Sequence, residues 1–108
     1  MEKSSIGIDG NVAAALAYAM GWVTGLAFLL AERDSAFVRF HAAQSTIAFG
    51  ALSLLWMISL SIPIFGWLIA FVVIPPFSIL LWLVMLFKAY QGERYKLPVV
   101  GDIAEERV

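Results

Sequence analysis

Residues 42–87 read AAQSTIAFGALSLLWMISLSIPIFGWLIAFVVIPPFSILLWLVMLF, without one Asp, Glu, Lys, Arg or His. A water-soluble domain of 108 residues has no core large enough to hide such a run. A bilayer core about 30 Å thick takes roughly 20 apolar residues per helix, so the run holds two spans. Ser61-Ile62-Pro63-Ile64-Phe65-Gly66 is its only punctuation, and Pro63 with Gly66 predicts a tight apolar hairpin there. That divides the stretch into a helix 2 over about 36–61, with an interfacial start, and a helix 3 over about 65–90.

Working towards the N-terminus, Glu32-Arg33-Asp34-Ser35 is a turn in which Asp34 or Ser35 can cap helix 2. Before it lies a second uncharged run, Gly10 to Ala31. Read as one helix over about 12–31 it is roughly 30 Å long, one bilayer core, with Asn11 as the best N-cap candidate. It does not read as a cleaved signal peptide. The leader Met1-Glu2-Lys3 is barely basic, and Leu29-Leu30-Ala31-Glu32 offers no small-x-small exit. Towards the C-terminus, Gly92 is a natural helix stop and residues 91–108 form a polar tail. In that tail, Asp102 with Glu105 fits a capping box.

Composition agrees. Hydrophobic residues make up 62% and mean hydropathy is +0.90. The net charge of −1 gives no basic field for nucleic acid. The chain has no cysteine and one histidine, which excludes disulfides, thiolate metal sites and a multi-histidine site. No motif calls for a cofactor or a metal. HExxH, an acidic pair at ligand spacing and an intramembrane Ser/His pair are all missing, so no catalytic residue is assigned and no enzyme is expected.

The expected fold is therefore all-α: an integral membrane bundle of three transmembrane helices, up-down-up, in one membrane domain over residues 1–108. With three spans, Lys3 lies on one side and Arg33, Arg39, Lys88, Arg94, Lys96 and Arg107 on the other. Positive residues stay cytoplasmic. This predicts the N-terminus outside, the C-terminus cytoplasmic, and a multi-pass protein of the cell membrane whose first partner is the lipid bilayer.

Small residues recur every fourth position in helix 1: Ala13, Ala17, Gly21 and Gly25, the last two a GxxxG pair. Helix 2 carries Ala42, Thr46, Gly50 and Ser53. Such stripes let helix backbones approach closely where no hydrophobic effect drives association. They serve either intrachain packing, with the two stripes facing each other, or the seam of a homo-oligomer. Pro75 and Pro76 remove donors from helix 3, free the carbonyls of Phe71 and Val72, and predict a kink near mid-bilayer. Phe37 to Ser45 is the densest polar-aromatic cluster. Arg39, His41 and Gln44 make it a candidate cytoplasmic docking surface, or a pocket closed by the C-terminal tail; the plainer alternative is an interfacial belt with Arg39 reaching phosphates.

Phe37-Val38-Arg39-Phe40-His41-Ala42-Ala43-Gln44-Ser45, Lys88 to Asp102, Asn11 and Gly21-Trp22-Val23-Thr24-Gly25 together resemble an uncharacterised family of small prokaryotic membrane proteins, prominent in archaea. That family is similar to the central membrane subunit of the chloroplast inner-envelope protein translocon. The resemblance implies a multi-pass helical protein with no catalytic residues to carry over. Two functions follow as expectations. One is a non-enzymatic structural or interaction subunit that packs with itself or a membrane partner. The other is a component of an oligomeric translocation pore for peptides or small solutes.

Overall fold

The computed structural model describes Lys3, Ser5 and residues 7–106. Met1 and Glu2 of the leader and Arg107 of the charge count lie outside the described residues. Among the described residues the chain is all-α, with five helices: α1 Gly10–Ala19, α2 Trp22–Ala31, α3 Ala36–Leu60, α4 Phe65–Tyr90 and α5 Val100–Glu106. Two of them, α3 and α4, are long and apolar enough to cross a membrane. Their bounds fall within a residue of those expected for helices 2 and 3.

The expected single helix over 12–31 is corrected. The run breaks at Met20-Gly21 into two helices of 10 residues. Gly21 takes φ 62° and ψ −132°, a conformation open to glycine and strained for other residues. The chain reverses there. At one end of α1, Asn11 Nδ2 donates to Tyr90 O at 2.9 Å; at the other, Tyr18 O accepts from Trp82 Nε1 at 2.7 Å. The helix α2 runs back, with Gly21 against Phe49 and Leu29 O accepting from Arg39 Nη1 at 3.0 Å. Ser5 N donates to Glu32 Oε2 at 2.8 Å, so the start and the end of the hairpin meet. Each arm is about 15 Å long, half a bilayer core.

The up-down-up arrangement is therefore replaced by two long helices with a short hairpin wedged between them. The N-terminal segment lies at the same end of the molecule as the end of α4, not at the 61–64 turn. Asn11, the expected cap, sits inside α1. The N-cap position is Asp9, and the Asn11 amide ties α1 to the end of α4 instead.

A turn inside the bilayer is tolerated only when its backbone groups find partners. Here they do. Thr24 Oγ1 accepts from Met20 N at 2.9 Å and donates to Ala17 O at 3.2 Å, and Ser45 Oγ donates to Gly21 O at 2.9 Å. Apolar packing completes the wedge: Ala14 and Tyr18 of α1 pack with Ala48 and Phe49 of α3 and Met85 and Ala89 of α4.

In α4 the prolines act without ending the helix. Residues Ile69–Val73 relax into a π turn, in which Ile74 N bonds Ile69 O. The next acceptor in that register, Ala70 O, faces Pro75, which has no N–H. Trp56 Nε1 fills the vacancy at 3.0 Å. The expected break is thus a π turn centred on Phe71, and the carbonyl that Trp56 serves lies one residue before the anticipated pair. At the other end α4 closes in a Schellman motif: Gly92, at φ 83°, donates to Ala89 O, and Glu93 N donates to Lys88 O, each at 3.0 Å. The expected capping box at Asp102 and Glu105 does not form. Both carboxylates pair with Lys96 Nζ, at 3.0 and 2.7 Å, and hold its ammonium above the usual lysine range.

Candidate functional site

The polar end of the bundle centres on three buried side chains, Tyr18, His41 and Gln44. His41 Nε2 lies 2.8 Å from Glu93 O. A carbonyl can only accept, so Nε2 carries the proton and Nδ1 is the acceptor. Tyr18 OH therefore donates to His41 Nδ1 at 2.7 Å, and accepts from Gln44 Nε2 at 3.0 Å. Gln44 also donates to Tyr95 O at 2.8 Å, while its Oε1 accepts from Leu97 N at 2.9 Å. The carboxamide thus binds the tail backbone as a neighbouring strand would, one donor and one acceptor in register. Phe37 and Phe40 pack edge-on against the imidazole, with centroids 4.7 and 5.1 Å away. The helix α5 folds over this end, with Ala104 against Phe40 and Ala43. Arg94 stacks its guanidinium over Phe40 at 5.2 Å.

The three candidate docking residues are all engaged within the chain. His41 and Gln44 hold residues 93–97. Arg39 caps α2: its Nη1 donates to Leu29 O at 3.0 Å and to Glu32 O at 2.7 Å, where helix carbonyls lack intrahelical partners. Beside it, Ser35 caps α3 by accepting from Val38 N at 3.3 Å. Glu32 has no exposed surface. Burial works to raise its carboxyl, but the N–H groups of Ser5, Ser35 and Asp34 outweigh that and hold it down at about 2. Sequence reasoning treated Glu32 as part of a solvated turn. Its role as an acceptor for three backbone donors depends on Ser5, 27 residues away.

Of the two small-residue stripes, Gly25 on α2 meets Ala42 and Thr46 on α3. A Cβ added at Gly25 would lie 2.9 Å from Thr46 N and 3.0 Å from Ala42 O. Gly21 abuts Phe49, and Gly50 faces Trp22 at an ordinary 3.8 Å. Ala13 and Ala17 are fully buried in α1. Ser53 instead borders a cavity of about 610 Å³ beneath the hairpin tip, whose walls include Met20, Trp22, Leu52, Trp56 and Ile74. Pro75 and Pro76 border the π turn just beside it. Among the described residues no group of three His, Cys, Asp or Glu is placed to hold a metal ion.

Comparison with known proteins agrees with a membrane protein. A UPF0132 membrane protein of Methanocaldococcus jannaschii is 47% identical over 98% of this chain and 94% of its own. A second from that organism is 50% identical, over 94% of this chain and 71% of its own. One from Archaeoglobus fulgidus is 50% identical over 91% of this chain and 94% of its own. These relatives support the archaeal membrane family anticipated above, and none carries the likeness to the chloroplast translocon subunit. No solved structure matches the chain. The model of the magnetosome magnetite crystal formation protein family matches residues 9–104. Nearly the whole chain is covered by that model, so this membrane protein belongs to the magnetosome magnetite crystal formation protein family.

Proposed function

We infer that the protein is a non-enzymatic membrane subunit that works through its shape and its charged end, associating in the bilayer with itself or with a partner. One observation carries this reading. The buried polar side chains among the described residues are spent on internal hydrogen bonds, none is left without a partner, and the remaining surface is an apolar belt with a charged end. Catalysis or ion transfer would call for polar groups kept free and aimed at a cavity. From the family description we carry over a membrane-bound role and no metal site. Its wording concerns magnetite crystal formation, and the archaeal relatives are named only as membrane proteins.

The orientation follows from charge. With the hairpin entering and leaving at one end, Lys3, Arg33, Arg39, Lys88, Arg94 and Lys96 gather at that end, and the 61–64 turn has no Lys or Arg. By the positive-inside rule this end faces the cytoplasm, and both termini with it. Single cysteines test this in a chain that has none of its own. Lys3→Cys, Asp34→Cys and Gln91→Cys should react with an impermeant thiol reagent from one side, and Ile62→Cys from the other. Lys3→Cys reacting opposite Asp34→Cys would restore the three-span topology. The subunit reading itself is tested by native mass spectrometry from native-like lipid. An assembly heavier than the 11.9 kDa chain is expected. A strict monomer at every concentration overturns it.

The pore alternative loses its main support, because the Pro75-Pro76 break is accommodated by the π turn and Trp56. Thr46 and Gly50 lie against α2.

A further inference from the structure

We propose that the protein is a wedge that recognises membrane curvature, favouring bilayers whose leaflet at the charged end is convex. The proposal rests on the reading above that the hairpin occupies one leaflet.

The molecule measures 49 × 22 × 21 Å, and its two halves differ in helix number. At the charged end four helices lie side by side: α1, α2, the first half of α3 and the last half of α4. The tip at Met20-Gly21 ends level with Phe49 and Trp82. Phe49 is 13 residues from Ala36 and 11 from Leu60, so the hairpin stops about halfway along α3, some 20 Å from one end and 16 Å from the other. Beyond the tip only α3 and α4 continue.

Burial records the same step. Along α3, Val38, residues 40–45, Ala48 and Phe49 are buried, and past Phe49 only Ser59 is. In that bare half Leu54, Met57, Phe71, Val72 and Phe77 are each more than half exposed. The 610 Å³ cavity opens directly under the tip, between α3 and α4. Helices with side chains are about 10–12 Å across. Two extra helices in one leaflet therefore add roughly 160–220 Å² of cross-section there and none in the other.

The wedge is also stiff. The turn is fixed by Gly21, Thr24, Ser45 and Trp82, and α1 is bonded to α4 at both of its ends. A hinged hairpin would splay to suit a flat bilayer. A braced one passes its asymmetry to the lipid, which relaxes where the crowded leaflet is already spread. Amphipathic helices inserted into one leaflet are a precedent, since their binding is curvature-sensitive.

The test uses the full chain with Asp34→Cys, an exposed position at the charged end, reconstituted into vesicles of mixed size. An impermeant fluorescent maleimide then marks only copies whose charged end faces outward. Fluorescence per lipid is read vesicle by vesicle. Outward copies should be at least about twofold denser in vesicles near 50 nm than near 400 nm in diameter, a curvature dependence of the kind one-leaflet helices show. Inward copies, labelled after permeabilisation, should show the opposite slope. Equal density at all sizes, or the same slope for both orientations, overturns the proposal. A spin label at Met20→Cys separates this failure from a failure of the underlying topology. A mid-bilayer depth with flat density sinks the wedge alone, whereas a label at the far headgroups shows that the hairpin does not stop halfway.

Discussion

Gly25→Ala is the sharpest test of how the hairpin is held. The change adds one methyl group where α2 crosses α3. Built on the backbone, that carbon falls 2.9 Å from Thr46 N, 2.9 Å from Thr46 Oγ1 and 3.0 Å from Ala42 O. Two of these are main-chain atoms of a buried helix and cannot rotate away. Alanine is favoured over glycine within a helix by about 1 kcal/mol. Overpacking against backbone costs about 1–3 kcal/mol. The helices must part by several tenths of an ångström, which also weakens the dispersion contacts of Gly21 with Phe49 and of Leu29 with Phe40 and Ala43. The net expectation is a loss of up to about 2 kcal/mol, the overpacking less the propensity gain. Gly50→Ala is the control. Its added carbon meets only Trp22 Cβ at 3.8 Å, so the propensity term acts alone and the variant should be neutral or up to about 1 kcal/mol more stable. Both are read as thermal unfolding midpoints by circular dichroism in mild detergent. If Gly25→Ala melts at or above the wild-type temperature, or the two variants move together, the close approach of α2 to α3 is not what holds the hairpin.

Four further outcomes are expected. Gln44→Leu leaves Tyr95 O and Leu97 N without their side-chain partner, at a cost of about 1–3 kcal/mol, and should speed trypsin cleavage at Lys96 while the helical signal is kept. Trp56→Phe uncovers Ala70 O in the bilayer and should cost about 1–2 kcal/mol in the same melts, whereas a neutral result would mean the π turn needs no donor. Ile64 holds φ 67° in a γ-turn whose Phe65 N bonds Pro63 O at 2.8 Å, and its side chain is largely exposed, so Ile64→Gly should stabilise by about 1 kcal/mol. Glu32 is held at about 2 when folded and rises to about 4.5 when unfolded, so its contribution is complete above pH 4.5 and is lost as pH falls towards 2. In that window the wild type should lose about 1–2 kcal/mol that Glu32→Gln does not, a figure reduced for solvent screening at the charged end.

Much of this was legible in the sequence. The charge-free run of residues 42–87 locates α3 and α4 closely, because a bilayer admits few alternatives for so many apolar residues and Pro63-Gly66 is its only break. Ser35 and Gly92 act as local cap chemistry predicts. What could not be read was set by distant partners. Asn11 and Asp102 have cap chemistry, but Tyr90 O and Lys96 compete for them successfully. Arg39, His41 and Gln44 were recognised as a cluster. That they bind α2 and the tail depends on which carbonyls the fold leaves free.

The hairpin shows the limit most clearly. Gly10 to Ala31 has the length and hydropathy of a span, and GxxxG describes Gly21 and Gly25 equally well in a straight helix. The choice between crossing and turning back rests on backbone groups near Gly21, among them Met20 N, Ala17 O, Tyr18 O and Gly21 O, whose exposure to lipid would forbid the turn. Thr24 is the only local partner; Ser45 and Trp82 come from α3 and α4. A break inside the bilayer is thus a tertiary decision. Tryptophan is its recurring instrument here: Trp82, Trp67 and Trp56 donate to Tyr18 O, Leu60 O and Ala70 O, at the ends of α1 and α3 and at the π turn. An indole is apolar enough for the hydrocarbon core and carries one donor and no acceptor, so it satisfies a stray carbonyl without adding a polar group of its own. At each of these three departures from plain spanning helices, a tryptophan from another helix makes the departure tolerable in lipid.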